Sequence, residues 1–334
     1  MSANAKIRVA ILSAAHLHAD SYARVLGGRE DAELVCLWDD DPARGQAKAE
    51  EYHTRYEPDL ERALGACDGV VICAENSRHR ELALAAASAG VHVLCEKPLA
   101  TSPGDAREMV DSCRRAGVLL GTAFPVRHAT ASFELRAALE GGKLGELVSI
   151  RGTNRGTMPG GWFVRPELSG GGAVTDHTVH VVDLVRFVTG REFESVYAEA
   201  DTRFYEDLGV EDCGLLVMRL EGGVVVSLDP SWSRPNKAFP TWGDVTLQVV
   251  GTEGIADFNY TAQHSKFYSN SRVRAAELPW GEDGDALMIE DFLAAIREGR
   301  PPLASGEDGL RAVEVVHAAY EAIRSGQVSK VQHV

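Results

Sequence analysis

The chain has no CxxC pair, no run of 18 apolar residues and no excess of basic side chains, and each lack removes a class of function. Its six cysteines (Cys36, Cys67, Cys73, Cys95, Cys113, Cys213) show no metal-finger or redox spacing, and Cys36, Cys73 and Cys95 fall inside apolar strand patterns where a thiol acts as a small hydrophobe. A reducing, cytoplasmic setting is expected. Without an 18-residue apolar run nothing should span a bilayer. Lys6 and Arg8 do precede Val9 to Leu12, but His16, His18 and Asp20 cut short any signal-peptide core. The 34 basic and 49 acidic side chains leave a formal charge of −15, which repels polyanions and anionic lipid surfaces. Neither nucleic acid nor membrane is an expected partner. What the chain does have is apolar content, 45% of 334 residues, enough for two globular domains with their own cores.

A further absence is local. Ile7 to Leu12 is a short apolar run, followed by a helical pattern carrying Tyr22, Val25 and Leu26 and then by a second β run, Leu34 to Trp38, which together predict a strand, helix, strand unit. In a dinucleotide-binding unit the first turn carries GxGxxG, so that backbone amides approach a pyrophosphate at the helix N-terminus. Here the turn reads Ser13, Ala14, Ala15, His16, Leu17, His18, and with Ser13, Ala15 and His18 at the three glycine places the fingerprint is missing. Ser13 and Ala15 are small enough for close approach; a histidine is not. Either Ser13 bonds a phosphate, or these are ordinary turn residues.

The second strand ends in Asp39, 21 residues after His18, the distance at which a carboxylate meets an adenosine ribose hydroxyl. Asp40 and Asp41 follow, and the nearest guanidinium, Arg44, lies five positions on beyond Pro42, a pattern that favours NAD over NADP. The alternative makes the three aspartates helix caps, which explains Asp41 but not Asp39. Gly69 to Ala74 reads as the next buried strand, with Asn76 and His79 at its carboxyl edge as cofactor contacts or as helix-start residues. Val91 to Cys95 is another buried strand, and it delivers Glu96, Lys97 and Pro98 where parallel sheets bind ligands. Taken alone, Lys97 is a catalytic cation or a loop lysine beside a turn proline.

A strand ending in Glu96-Lys97-Pro98, preceded by Asn76-x-x-His79 and by a strand ending at Asp39, resembles the Gfo/Idh/MocA family of nicotinamide-dependent sugar and inositol oxidoreductases. The chain departs from that pattern in its phosphate turn and at Glu75, where the family commonly carries proline. The resemblance implies an N-terminal Rossmann domain with a doubly wound parallel sheet over residues 1–124. It further implies an α+β substrate domain over 125–306 with a large, mostly antiparallel open sheet, and a closing helix in 307–334 that packs back on the body. Cofactor contacts are expected from Ser13, Ala15, His18, Asp39, Asn76, His79 and Glu96, the last also steadying Lys97. Short strands at close spacing after residue 147, with Glu221, Gly222 and Gly223 as a hairpin turn, agree with an antiparallel sheet. In the family that sheet supplies an oligomer interface, so a homodimer or homotetramer is expected.

The segment Gly170-Gly171-Gly172-Ala173-Val174-Thr175-Asp176 opens a helix on which Asp176, His180 and Asp183 stand at i, i+4 and i+7 and share a face. The glycines would let backbone approach a ligand, and one imidazole between two carboxylates suits a general base. The alternatives are a polar helix face and a metal site, the latter disfavoured by a single facing imidazole and no cysteine; no metal is expected. The resemblance places Asp176 and His180 against a substrate hydroxyl with Lys97. Arg155, Trp162 and Arg165, which precede the glycine run, and His177, about 100° around the helix, are expected to frame the substrate; Trp232 and Arg234 are weaker candidates. The expected reaction is hydride transfer between a secondary hydroxyl or ketone of a sugar, sugar derivative or cyclic polyol and a nicotinamide. Two rival expectations are a lyase or glycosidase that oxidises a sugar only transiently, and a nucleotide-binding sensor without turnover.

Overall fold

The computed structural model describes residues 5–267 and 276–334. The chain divides into two compact units, Met1–Pro125 with Gly284–Leu310, and Val126–Asp283 with Arg311–Val334.

In the first unit, strands β1 (Ile7–Leu12), β2 (Ala32–Trp38), β3 (Gly69–Ile72), β4 (His92–Cys95) and β5 (Leu120–Thr122) form a parallel sheet in the order β2-β1-β3-β4-β5. The order reverses between β1 and β3, which leaves a crevice at their carboxyl ends. Every residue of β3 is buried, as a strand covered on both faces requires. The connecting helices are α1 (Ala19–Gly27), α2 (Pro42–Glu51), α3 (Leu60–Gly65), α4 (His79–Ser88) and α5 (Pro103–Ala116). Local chemistry sets their ends. Asp41 caps α2 by accepting from the amides of Ala43 and Arg44, with Pro42 in the first turn, and Gly117 closes α5 at φ +69°.

A segment expected in the second domain belongs to this unit. Helix Gly284–Glu298 (α9) places Met288, Ile289, Phe292, Leu293 and Ile296 in one core with Ile7, Val9 and Ile11. Gly69 admits it: a Cβ there would stand 3.1 Å from Ile296 and 3.4 Å from Phe292. The apolar stripe of α9 has to be covered, and β1 and α1 offer the matching surface.

The second unit carries α6 (Thr130–Glu140), α7 (Pro166–Ser169) and α8 (Ala173–Thr189), and a seven-stranded sheet. Its strands are β6 (Leu147–Gly156), β7 (Phe193–Asp201), β8 (Cys213–Leu220), β9 (Val224–Asp229), β10 (Gly243–Gly251), β11 (Ile255–Asn259) and β14 (Ser329–Lys330), in the order β11-β10-β6-β9-β8-β7-β14. All neighbours are antiparallel except β6 with β9. The hairpin between β8 and β9 turns through Gly222 and Gly223 at φ +78° and +81°, values that L-residues with side chains rarely take. Along β8, Leu216, Met218 and Leu220 are buried while Leu215 and Val217 are exposed, the alternation of a sheet covered on one face. A separate hairpin pairs β12 (His264–Phe267) with β13 (Ala276–Pro279), and α10 (Gly306–Ser325) closes the helical series. No helix among the described residues is long and apolar enough to cross a membrane, and all six cysteines are free.

Candidate active site

The turn after β1 solves the missing-glycine problem with side chains. Ser13 stands at φ +69°, the conformation a first glycine normally supplies, and it is fully buried. Its hydroxyl accepts from the Ala15 amide at 3.2 Å and lies 3.4 Å from Asp39 Oδ2. The Ser13 side chain is therefore engaged inside the turn, as the ordinary-turn alternative expects. Ala14 donates to Asp39 at 2.7 Å, His16 to the Cys73 carbonyl at 2.8 Å, and the His18 amide to His16 Nδ1 at 3.2 Å.

Asp39 is also occupied. Its Oδ1 accepts from the Asp41 amide (2.9 Å) and Arg44 Nη2 (2.7 Å), and its Oδ2 from the Ala14 amide (2.7 Å) and Arg44 Nε (2.9 Å). Burial works to raise its pKa, but the hydrogen bonds from Arg44 and the two amides bring it below the usual carboxylate range. Arg44, five positions away in sequence, is in contact because Asp41 and Pro42 start α2 at once and the first helical turn folds back over the tip of β2. Sequence distance misplaces it. Arg44 also reaches Asp40 at 3.0 Å and Glu75 at 3.8 Å, while Arg78 pairs with Asp40.

Glu96 lies at the tip of β4 and is 0% exposed. It accepts from His18 Nδ1 (2.9 Å), the Lys97 amide (3.0 Å) and the Tyr22 hydroxyl, with His16 Nε2 at 3.7 Å. Burial opposes its charge, yet the facing His16 and His18 rings, the His18 hydrogen bond and the Lys97 charge hold it well below the usual carboxylate range. Both of its oxygens are thus bonded within the protein. Three side chains of metal-ligand type meet here, His16, His18 and Glu96. However, His16 Nδ1 accepts the His18 amide, so Nε2 carries the ring proton rather than a lone pair toward the group.

His79 is likewise a strut and not a cofactor contact: it is 0% exposed, with Nδ1 at 2.9 Å from the Pro98 carbonyl and Nε2 at 3.1 Å from that of Ala74. Burial lowers its pKa, while the Pro98 and Ala74 carbonyls, which accept only from N–H, act in the opposite direction. Asn76, also buried, opens a 3-10 turn, Asn76–Arg78, and its carbonyl accepts from the His79 amide; it is not the cap. Lys97 is 5% exposed.

In the second unit, the N-terminus of α8 is capped from outside. Glu211 accepts from the amides of Gly172 and Val174, both at 3.0 Å, and from the Tyr320 hydroxyl at 2.7 Å. This gives the glycine run its physical reason. A Cβ on Gly172 would stand 2.0 Å from the Glu211 carbonyl oxygen, and one on Gly171 2.0 Å from the Tyr320 hydroxyl. The glycines make room for protein, not for a ligand as the spacing suggested.

Asp176 Oδ2 receives the Trp232 indole N–H at 3.1 Å and lies 3.3 Å from His177 Nε2, whose ring holds the Pro230 carbonyl through Nδ1 at 2.9 Å. His177 is thus buried and committed to protein, which corrects its placement in the substrate frame. Trp232 is wholly buried as well. His180, 8% exposed, stands one turn beyond Asp176. Asp183, expected as its second carboxylate, is instead bound by both arms of Arg127 in a pair only 5% and 1% exposed. Arg155 and Arg234 both turn to Asp244, and Arg165, exposed, pairs with Glu167 at 2.8 Å. Trp162 stacks on Phe163 with ring centroids 3.9 Å apart. Sequence reasoning missed Arg44, Tyr22, Glu211 and Tyr320; only Tyr22, four residues after His18 on one helix, carried a local signal.

Comparison with known proteins places both units. Residues 7–124 match the model described as oxidoreductase family, NAD-binding Rossmann fold, and residues 133–257 the Gfo/Idh/MocA C-terminal domain. The chain is 33% identical over 325 residues to a 1,5-anhydro-D-fructose reductase of Ensifer adhaerens, covering 92% of this chain and 93% of that protein. It is 28% identical to a myo-inositol 2-dehydrogenase of Thermotoga maritima over 80% of each. Among solved structures it superposes on GenD2 from gentamicin A biosynthesis, in complex with NAD, with a TM-score of 0.89 at 25% identity, covering 98% of this chain and 97% of that one.

Proposed function

The chain belongs to the Gfo/Idh/MocA oxidoreductase family, and from that premise we propose that it transfers hydride between a secondary hydroxyl or ketone of a sugar, sugar derivative or cyclic polyol and nicotinamide, with NAD preferred to NADP. The observation that carries the proposal is Lys97, an ammonium side chain only 5% exposed at the carboxyl end of a parallel strand buried from Val93 to Cys95, where α/β sheets do chemistry.

The edge of the first unit fits a nicotinamide dinucleotide. The turn after β1 lies at the switch of strand order, and Ser13 takes the left-handed backbone that such a turn needs. Around the tip of β2, Asp39, Asp40, Asp41 and Glu75 outnumber Arg44 and Arg78, so a 2′-phosphate would meet net negative charge; this supports NAD. Ser13, Ala15, His18 and Asn76 line the proposed cofactor edge, and Asp39 reaches it through Arg44. When bound, the dinucleotide supplies a hydride acceptor at the nicotinamide ring.

This chain's own groups then handle the proton and the charge. His180 accepts the hydroxyl proton, and Asp176, held by Trp232 and His177, provides a fixed negative charge one helical turn away that favours the resulting imidazolium. Lys97 stabilises the oxyanion that develops as hydride leaves. Arg155, Arg165 and the stacked Trp162 are proposed to frame the substrate. A homodimer or homotetramer through the outer sheet face, where Leu215, Val217 and Val225 are exposed, and a reducing cytoplasm suited to six free cysteines complete the reading.

The test is to mix the protein with NAD and a panel of sugars and polyols, follow absorbance at the NADH band, and identify products. Net NADH with an oxidised product is expected. Loss of a substituent without net NADH would replace dehydrogenation by transient oxidation, and binding without turnover would leave a sensor. Lys97→Ala should lower turnover by about 10²–10³-fold with dinucleotide binding kept; near-normal turnover would remove Lys97 from the chemistry.

A further inference from the structure

We propose that His18, as an imidazolium, replaces the third glycine of the phosphate turn and holds the dinucleotide's pyrophosphate, so that cofactor binding takes up a proton. The inference rests on the nicotinamide reading above and adds to it the source of the charge.

A glycine-rich turn binds pyrophosphate through backbone amides. Here the amides of Ala14, Ala15, His16 and His18 are all bonded within the protein, to Asp39, Ser13, Cys73 and His16. Among the described residues this leaves the Leu17 amide as the turn's one uncommitted backbone donor, so a side chain has to supply the rest. His18 is the N-cap residue of α1 but contributes no capping bond, and its side chain is 29% exposed beside the buried Glu96. With Nδ1 held at 2.9 Å by Glu96 Oε1, Nδ1 carries a proton in every ionisation state, and Nε2 has no hydrogen-bond partner among the described residues. A neutral ring would turn the Nε2 lone pair on a phosphate oxygen. A protonated ring offers an N–H and a positive charge to the phosphate; the N-terminal end of the α1 dipole favours the bound anion and opposes the charge on the ring itself.

The surroundings favour the charged ring. Glu96 from the tip of β4 is the facing anion, itself fixed by the Tyr22 hydroxyl from α1 and the Lys97 amide. His16 stacks edge-on at 4.4 Å between ring centroids. Burial and the Lys97 charge oppose protonation, while Glu96 and Asp285 at the start of α9 favour it, and the balance raises the His18 pKa above the ordinary histidine value. The sign follows. Affinity is greatest while the unliganded ring is charged and falls as pH rises through its pKa, approaching about tenfold per pH unit for a single linked proton.

The experiment is titration calorimetry of the full chain with NADH across pH 6.5 to 9.5, run in buffers of different ionisation enthalpy. Uptake approaching one proton on the alkaline side is expected. Glu96→Gln should move the weakening to lower pH, and His18→Gly and His18→Asn should abolish the pH dependence. A wild-type affinity that is flat with pH and releases or takes up no proton overturns the proposal while leaving the oxidoreductase reading intact, and so does an unchanged slope in His18→Asn. Failure of NADH to bind at any pH would instead overturn the reading beneath it.

Discussion

At the scale of single residues, the chain keeps a dinucleotide-type turn while dispensing with the residues that usually make one. Ser13 holds a positive φ that costs an L-residue about 1–2 kcal/mol, and its hydroxyl offsets part of that by accepting the Ala15 amide. A β-branched residue tolerates that conformation least. Ser13→Val should therefore lower stability by about 1–2 kcal/mol in urea denaturation, and weaken NADH binding with it; an unchanged midpoint would mean that the turn relaxes out of the left-handed region. Arg44 carries a related lesson. Its contact with both oxygens of Asp39 depends on where α2 starts, which the Asp41 cap and Pro42 announce, but on which way the first turn faces, which they do not.

At the scale of elements, α8 is the best determined. Its entry is fixed by Glu211 and Tyr320, its first turn by Trp232 and His177 on Asp176, and its middle by Arg127 on Asp183. Holding a proton-handling pair on a helix pinned at several points restricts its geometry more than a loop would. Gly172→Ala should test the pinning, because its Cβ would stand 2.0 Å from a backbone oxygen that cannot rotate away. Overpacking of this kind costs about 1–3 kcal/mol, and a lower Tm with a larger loss in kcat than in KM is expected; an unchanged Tm would show that the Glu211 segment yields freely.

At the scale of the molecule, the first unit is discontinuous in sequence. Its core takes Met288, Phe292 and Leu293 from α9, beyond the whole seven-stranded sheet in chain order. Deleting a buried phenylalanine side chain costs about 3–5 kcal/mol, and removing α9 exposes several such groups at once. A fragment ending at Pro125 should lack cooperative thermal unfolding, and one carrying Gly284–Leu310 through a short linker should regain it. Independent folding of the shorter fragment would mean that α9 is dispensable to this core.

The one-dimensional pattern was enough for the fold class, because apolar runs bounded by glycine and proline, then short alternating strands, can bury their faces in few ways. It was enough also for Lys97, Asp176 and His180 as candidates, since a charged tip on a buried strand and an i, i+4 pair are local features. Partnership was not local. Asp183 turned to Arg127, Asp176 to Trp232 and His177, Asp39 to Arg44, and Glu96 to His18 and Tyr22. A buried charge or polar group takes whichever partner the packed chain brings within about 3 Å. That choice rests on tertiary distances, which spacing along the sequence does not contain.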